Sequence, residues 1–457
     1  MNQNIFITHA IPLKRWFLVS ILCLIGIQTI SAMSSPPRYP DITIRGNLNT
    51  SCISSRGGTA YLQIEITTGG PIFRDKRPMN IALVLDRSGS MGDERKMDYA
   101  KKAVLGLIDR LSSEDYLSIV IYDDQVETLV PPRRLTDKRQ IKRLIDEIYP
   151  RGSTNLGGGM QEGFRQIERN FKREYINRVI LLSDGLANQG ITDPYDLNRI
   201  ASRYRNQSIS LTTMGVGLDY NENLMLGLAE HGGGNYYFIE SPYQLASIFE
   251  RELQGLASVV AQNAYIELNL GRGVKFNNAI GCGSTRNGDR WVLSVGDLYA
   301  NEHREFTIEL NIPEGSGTKH VATGILKYDR DREWTKSFPK FSVDIRYSDV
   351  TAELEKSRDW DTQAKVDVAI STSKVEKALG ALDAGNREEA EKEINEAKLF
   401  LQSSPAMTNS SAGAGLMQEQ VKQLESFSRD VKDDSIDARK VKKSMQYQNY
   451  STQKKRK

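Results

Sequence analysis

Three separated stretches carry oxygen-bearing side chains in a pattern suited to a hard divalent cation. They are Asp86-Arg87-Ser88-Gly89-Ser90, Gly152-Ser153-Thr154-Asn155 and Ser183-Asp184-Gly185. Asp86 and Asp184 supply negative charge, and the hydroxyls of Ser88, Ser90 and Thr154 supply neutral oxygens. Mg²⁺ takes about six oxygens in octahedral array and commonly keeps waters, and Mn²⁺ and Ca²⁺ accept donors of the same kind. This donor set leaves at least one position for water, which a carboxylate from a protein partner can replace. Hydroxyl donors bring no charge, so the ion stays electrophilic towards such an acid. Gly89 and Gly92 are expected to let the first loop turn tightly around the ion. The alternative is an ion that serves only as a structural staple.

The elements that must position these residues are legible from periodicity. "NIALVLD" (80–86) and "RVILLSD" (178–184) are continuous apolar runs, the pattern of strands buried on both faces, and each ends on one of the two aspartates. Between and after them, strand-like runs ("YLSIVIYD", "VETLVPP", "SISLTTMGVG", "NYYFIE") alternate with amphipathic helical ones, over roughly 80–256. Caps are expected at Thr136-Asp137 and at Asp193 before Pro194. Such alternation implies a mainly parallel sheet covered by helices, with ligands bound outside the carboxyl ends of the strands.

On either side the period changes to two. "DITIRGNLNTS" and "TAYLQIEITTG" precede the α/β unit, and "AYIELNL", "RWVLSVGDL", "REFTIELNI", "VATGILKYD" and "KFSVDIRY" follow it. Too few strands lie before the unit to form a core alone, so the early pair is expected to complete one antiparallel sandwich with the later strands. From 350 onward the text is helical and highly charged. Val375, Leu379 and Leu382 should face Ala390, Ile394 and Leu401 across a turn at Ala384-Gly385-Asn386, with a Ser/Ala/Gly linker at 407–415 and a basic tail at 453–457.

D-x-S-x-S with a distant Thr and a distant Asp resembles the metal-ion-dependent adhesion site (MIDAS) of von Willebrand factor A and integrin I domains. Asp86, Ser88, Ser90, Thr154 and Asp184 match it position by position, and the likeness runs on through "GSTNL" and "DGLANQGITDP". "GGGNYYFIE", "LASVVAQN" and "VGDLYANEHREF" resemble exported bacterial proteins in which an A domain sits within a β-sandwich; the likeness covers about 41–345. The resemblance implies that the hydroxyls contact the metal, that the aspartates often act through water, and that an acidic side chain of a partner completes the coordination.

Composition narrows the classes. Net charge is +3 with 26% charged and 39% apolar residues, so no field of one sign favours nucleic acid. Lys14-Arg15, an apolar run over 16–30 and Ser31-Ala32 read as an export signal cleaved after Ala32; an uncleaved anchor, the only expected membrane contact, is the alternative. Of three cysteines, Cys23 lies in that segment, leaving Cys52 and Cys282 to pair across the sandwich or to stand apart as small apolar residues.

Competing sites are weaker. Asp219-Tyr220-Asn221-Glu222-Asn223 imitates an EF-hand start, but Leu224 stands where that loop needs Gly, so a helix cap is the better reading. Gly157-Gly158-Gly159 lacks the Lys-Ser/Thr of a phosphate loop and should instead permit close backbone approach. Neither serine has a G-x-S-x-G elbow, no Cys/His spacing suits zinc, and His231 reads as a helix C-terminal residue.

The chain is therefore expected to be an exported, non-enzymatic binding protein of the periplasm, cell surface or medium. Its expected parts are a leader (1–32), a β segment (33–78), a Rossmann-like A domain (79–256) inserted in an antiparallel β-sandwich completed by 257–348, and an α-helical region (349–457). Its function would be metal-dependent adhesion or complex assembly with a protein offering Asp or Glu to Mg²⁺, Mn²⁺ or Ca²⁺. The alternative is a scaffold or regulatory subunit with a passive metal site, binding partners through its helical tail.

Overall fold

The computed structural model describes residues 41–70, 77–329 and 338–454; the leader and the last residues of the basic tail lie outside the described residues. The chain opens with β1 (Ile42–Leu48), β2 (Cys52–Ile53) and β3 (Gly58–Thr68), then enters the α/β unit. There β4 (Met79–Asp86), α1 (Lys96–Arg110), β5 (Tyr116–Tyr122), β6 (Val126–Arg134), α2 (Lys138–Asp146), α3 (Leu156–Arg169) and β7 (Ile176–Ser183) form the first part. α4 (Pro194–Arg205), β8 (Ser210–Val216), α5 (Glu222–Gly232), β9 (Gly233–Ile239) and α6 (Leu245–Ala257) form the second.

The sheet order is β6-β5-β4-β7-β8-β9, parallel except for β6. From β4 the chain builds outward to β5 on one side and later to β7 on the other, so the topological switch lies between β4 and β7. Every residue of both strands is buried, as their unbroken apolar runs require. The proline pair Pro131-Pro132 lies inside β6 rather than ending it, which an edge strand tolerates because its outer N–H groups have no partner to lose. Glycines let α3 lie close to the sheet: a Cβ on Gly159 would strike the Tyr122 ring, and one on Gly163 would strike Val84.

The chain then returns to β structure: β10 (Val259–Leu270), β11 (Lys275–Ile280), β12 (Ser284–Asn287), β13 (Arg290–Tyr299), β14 (His303–Ile312), β15 (Thr318–Asp329) and β16 (Lys340–Tyr347). One sheet runs β1-β3-β14-β11 and the other β12-β13-β10-β15-β16-β2, so the early strands do join the late ones around one apolar core. The short strands β2, β11 and β12 carry too little alternation to read from sequence. β7 is tied to the sandwich by Arg178, whose guanidinium lies 2.5 Å from Asp297 of β13, both fully buried. The inserted unit is thus fixed to its host by a buried ion pair, the kind whose one-sided removal is costly.

Cys52 and Cys282 do not pair; both are free. Cys52 is on β2 at one margin of the six-stranded sheet, whereas Cys282 sits between β11 and β12, at the other margin. Sharing a sandwich did not bring them together, because the sheet's width separates its two edge strands.

The C-terminal region comprises α7 (Thr351–Lys356), α8 (Trp360–Asp383), α9 (Arg387–Ser403), α10 (Ala406–Asn409), α11 (Gly413–Lys432) and α12 (Ala438–Lys454). The α8–α9 hairpin has the expected turn and facing residues. The expected 407–415 linker is instead mostly ordered: α10 occupies part of it and α11 begins at Gly413, where a Cβ would overlap Ala364 of α8. The tail also contributes a long docked helix, α12, whose Tyr447 and Tyr450 rings meet Tyr236 of β9 edge-on.

Candidate metal centre

Asp86 ends β4 and Asp184 directly follows β7, so the two carboxylates flank the switch point, and both are fully buried. Asp86 is held from three sides: Oδ1 accepts the Ser88 backbone N–H (2.8 Å), and Oδ2 accepts the hydroxyls of Ser183 (2.7 Å) and Tyr122 (3.3 Å). Asp184 Oδ1 accepts the Ser90 hydroxyl at 2.9 Å. The hydroxyls of Ser88 and Ser90 are 3.2 Å apart. Thr154 closes the group: a Cβ built on Gly185 would lie 3.2 Å from Thr154 Oγ1 and 3.6 Å from Ser90 Oγ. All five residues singled out in the sequence therefore converge at one end of the sheet.

The loops that carry them are sewn together by their backbones. Gly89 N–H donates to Gly152 carbonyl oxygen (3.1 Å), and Arg151 N–H to that of Arg87 (2.7 Å). Thr154 and Asn188 exchange two bonds, Thr154 N–H to Asn188 Oδ1 (2.9 Å) and Asn188 N–H to Thr154 O (3.2 Å). The glycine that the turn demands is Gly152, at φ +69°, where a Cβ would overlap Asp124. Gly89 and Gly92, expected to fill that role, are not in the left-handed region; Glu94 and Arg95 are, at φ 49° and 58°.

Several contributors were missed in the sequence. Lys96, the first residue of α1, places its ammonium 2.8 Å from Asp184 Oδ2, with both side chains buried. Asp123, after β5, receives Arg87 and Arg151, each at 2.8 Å, and Arg87 also reaches Glu127 at 3.3 Å. Burial alone would raise the Asp123 carboxyl, but the Arg151 and Arg87 guanidiniums and the Gln125 N–H together hold it below its usual value. The only sequence hint of Lys96 was a lysine at the start of an amphipathic helix, which ordinarily reads as a solvated residue.

These charges do not balance. The pair Arg87 and Arg151 is matched by Asp123 and Glu127, whereas Asp86 and Asp184 face only Lys96. Burial pushes the Asp86 carboxyl up to about 6, against hydrogen bonds from Ser88 and Ser183, and the nearby Asp184 carboxylate adds to the rise. An all-oxygen donor set with surplus buried negative charge fits a hard divalent cation.

Glu65, His303 and Glu305 form a second cluster of metal-type donors, within 4.8 Å of one another. It lies nearer solvent than the first, with His303 exposed and Glu65 half-buried, and Lys365 bridges its two glutamates, reaching Glu305 at 2.8 Å and also bonding Glu65. The rejected EF-hand stretch is indeed a cap, with Asn221 Oδ1 accepting Leu224 N–H at the start of α5. His231 lies in the last turn of α5, its Nδ1 2.8 Å from Gly227 O.

Comparison with known proteins places this geometry. The von Willebrand factor type A domain family matches residues 80–251. An Escherichia coli protein, described only as uncharacterized protein YfbK, is 28% identical over 267 residues, 56% of this chain and 45% of its own length. Human inter-alpha-trypsin inhibitor heavy chain H3 is 26% identical over 210 residues, 42% of this chain and 23% of its own. The chain thus spans less than half the length of either relative. Among solved structures, a von Willebrand factor type A protein from Catenulispora acidiphila superposes with a TM-score of 0.71 at 16% identity, covering 91% of this chain and 97% of that one. That likeness, at such identity, is one of fold.

Proposed function

Residues 80–251 form a von Willebrand factor type A domain, and on that premise we propose that the chain is an envelope protein that captures an acidic residue of a partner protein at a metal centre built by Asp86, Ser88, Ser90, Thr154 and Asp184. The carrying observation is the convergence of two fully buried carboxylates and three hydroxyls at the sheet's switch point, with one lysine against two acids.

A divalent ion bound there supplies Lewis-acid coordination to an incoming carboxylate. The chain's own residues do the rest. Ser88, Ser90 and Thr154 offer neutral oxygens, Asp86 is oriented by Ser183 and Tyr122, and Asp184 is held by Ser90 and Lys96. With Mg²⁺, Mn²⁺ or Ca²⁺ the buried group of two aspartates and one lysine passes from net negative to net positive by one charge. One carboxylate from a partner then neutralises it. Placement at the envelope rests on the leader pattern of the sequence.

The scaffold alternative assigned partner binding to the helical tail. It draws less support, because the basic residues of α12 are engaged within the molecule: Arg439 with Asp219, Lys440 with Glu240, and Lys442 and Lys443 with Glu222.

The test is titration of Mg²⁺, Mn²⁺ and Ca²⁺ into wild type and Asp86→Ala, followed by partner capture from envelope extract with and without chelator. We expect Asp86→Ala to keep its fold, to lose metal affinity by roughly 100-fold or more, and to lose capture. Equal capture by both proteins in chelator would leave the scaffold reading in its place.

A further inference from the structure

Eight large apolar side chains are exposed among the described residues, and five of them, Tyr149, Leu186, Ile191, Tyr195 and Tyr243, follow the metal-centre end of the sheet or the loops sewn to it. Solvent-facing apolar side chains scattered singly need no explanation, but a concentration around one site does. The segment after Asp184 is the most informative. Leu186 is 57% exposed, Ile191 38% and Tyr195 75%, while the small Ala187 of the same segment packs towards the core. Folding alone selects the reverse, with large apolar groups inward and small ones outward.

This segment is also held in place. Asn188, midway between Leu186 and Ile191, exchanges two hydrogen bonds with the backbone of Thr154. Gly190, at φ +67°, packs against Asn155 Oδ1, and Ile191 lies over the first turn of α3, where a Cβ on Gly157 would strike it. The backbone of the segment is therefore pinned to the loop that presents Thr154. Tyr149, 60% exposed, precedes the same loop and lies beneath the Arg151 guanidinium at 5.7 Å.

We propose that Leu186, Ile191 and Tyr195 form a preorganised apolar shelf beside the metal centre that selects a protein segment in which the captured Asp or Glu is flanked by aliphatic or aromatic residues. The inference rests on the metal-capture reading and adds the partner's sequence character to it. Charge complementarity fixes the acidic residue, and the exposed shelf fixes its neighbours. A rigid shelf spares the ordering cost of binding, which is how a small apolar contact adds to affinity.

The probe is a displayed peptide library with a central Asp or Glu and randomised flanks, selected on the full chain in Mn²⁺ and again in chelator. Wild type, Leu186→Ser/Ile191→Ser and Ser88→Ala are compared, and Mn²⁺ titration of each reports the metal centre separately. The expected result is enrichment of apolar flanks in Mn²⁺ alone. The double variant should keep wild-type Mn²⁺ affinity but bind the selected peptides about tenfold or more weakly, with the flank preference gone. Metal-dependent enrichment without apolar bias, or binding unchanged in the double variant, overturns the shelf while leaving metal capture standing. Enrichment indifferent to chelator and to Ser88→Ala overturns both, as does the absence of any enrichment in wild type that binds Mn²⁺.

Discussion

Two charge clusters in this molecule invite comparison, one wholly buried and the other running from a buried centre at Lys442, Lys443 and Glu222 to an exposed rim, because they share residue types and differ in outcome. At the candidate metal centre, Asp86 and Asp184 are met by Lys96 alone among the described residues. Where α12 docks, Arg439, Lys440, Lys442 and Lys443 meet Asp219, Glu240 and Glu222 of the A domain and Asp383 of α8, four cations against four acids. Lys443 also donates to the Tyr220 carbonyl oxygen at 2.8 Å, and Lys442 lies 2.6 Å from Glu222. The second cluster is satisfied by the chain itself and acts as a clasp. The first is short of positive charge, in a place where leaving charge unpaired is expensive. What sets the candidate site apart from a structural joint here is the charge balance, not the presence of charge.

Substitutions should separate the two. The largest effect is expected for Asp86→Ala on metal affinity, with the fold retained. Glu222→Ala should do the opposite: it strands the buried Lys443, leaves Lys442 with Asp383 alone, and should lower stability by about 3 kcal/mol, read by urea unfolding, with Mn²⁺ affinity unchanged. A loss of metal affinity on breaking the clasp would mean that the two clusters act as one. The clasp should also be acid-sensitive. Burial raises the Glu222 carboxyl, but Lys442 and Lys443 outweigh it and leave the group below its usual value. Such a group contributes stability above its unfolded pKa, about 4.3, and loses it as pH falls through the lower folded value. Unfolding midpoints of wild type should therefore fall more steeply below about pH 4 than those of Glu222→Ala.

Lys96→Met should give a smaller change of opposite sign at the metal centre. Removing the ammonium beside Asp184 relieves repulsion of an entering cation, and Mn²⁺ should bind about tenfold tighter. The apo protein should be less stable, since two buried carboxylates lose their one counter-charge. Weaker Mn²⁺ binding would instead assign Lys96 to holding Asp184 in place. The smallest effect is kinetic. Burial pushes the Cys282 thiol up to about 12, despite nearby Lys454 of α12. Alkylation at pH 8 should be slow in wild type, faster by several-fold in Glu222→Ala, where α12 is loosened, and indifferent to Mn²⁺. Equal rates in both proteins would show that α12 does not guard this thiol.

The sequence by itself determined whatever depends on local periodicity and spacing. β4 and β7 are unbroken apolar runs ending on aspartates, and such runs become central parallel strands wherever helices cover both faces. The convergence of Asp86, Ser88, Ser90, Thr154 and Asp184 was legible for the same reason: each stands at a strand end or in a loop whose position follows from the strand order. Caps at Asp137, Asp193 and Asn221 act within one helical turn, so short-range text suffices. Only the tertiary structure decided what depends on residues far apart in the chain. Lys96 looked like a solvated helix residue until α1 turned it under Asp184, and Asp123 gained its two arginines only when three loops met. Cys52 and Cys282 belonged to one sandwich yet fell at opposite margins of a sheet. The lysines of α12 read only as part of a helical, highly charged region, and docking made them a clasp. Periodicity fixes which face of an element is buried. Which charges meet across that buried face is set by topology, because ion pairing depends on distance in space and not along the chain.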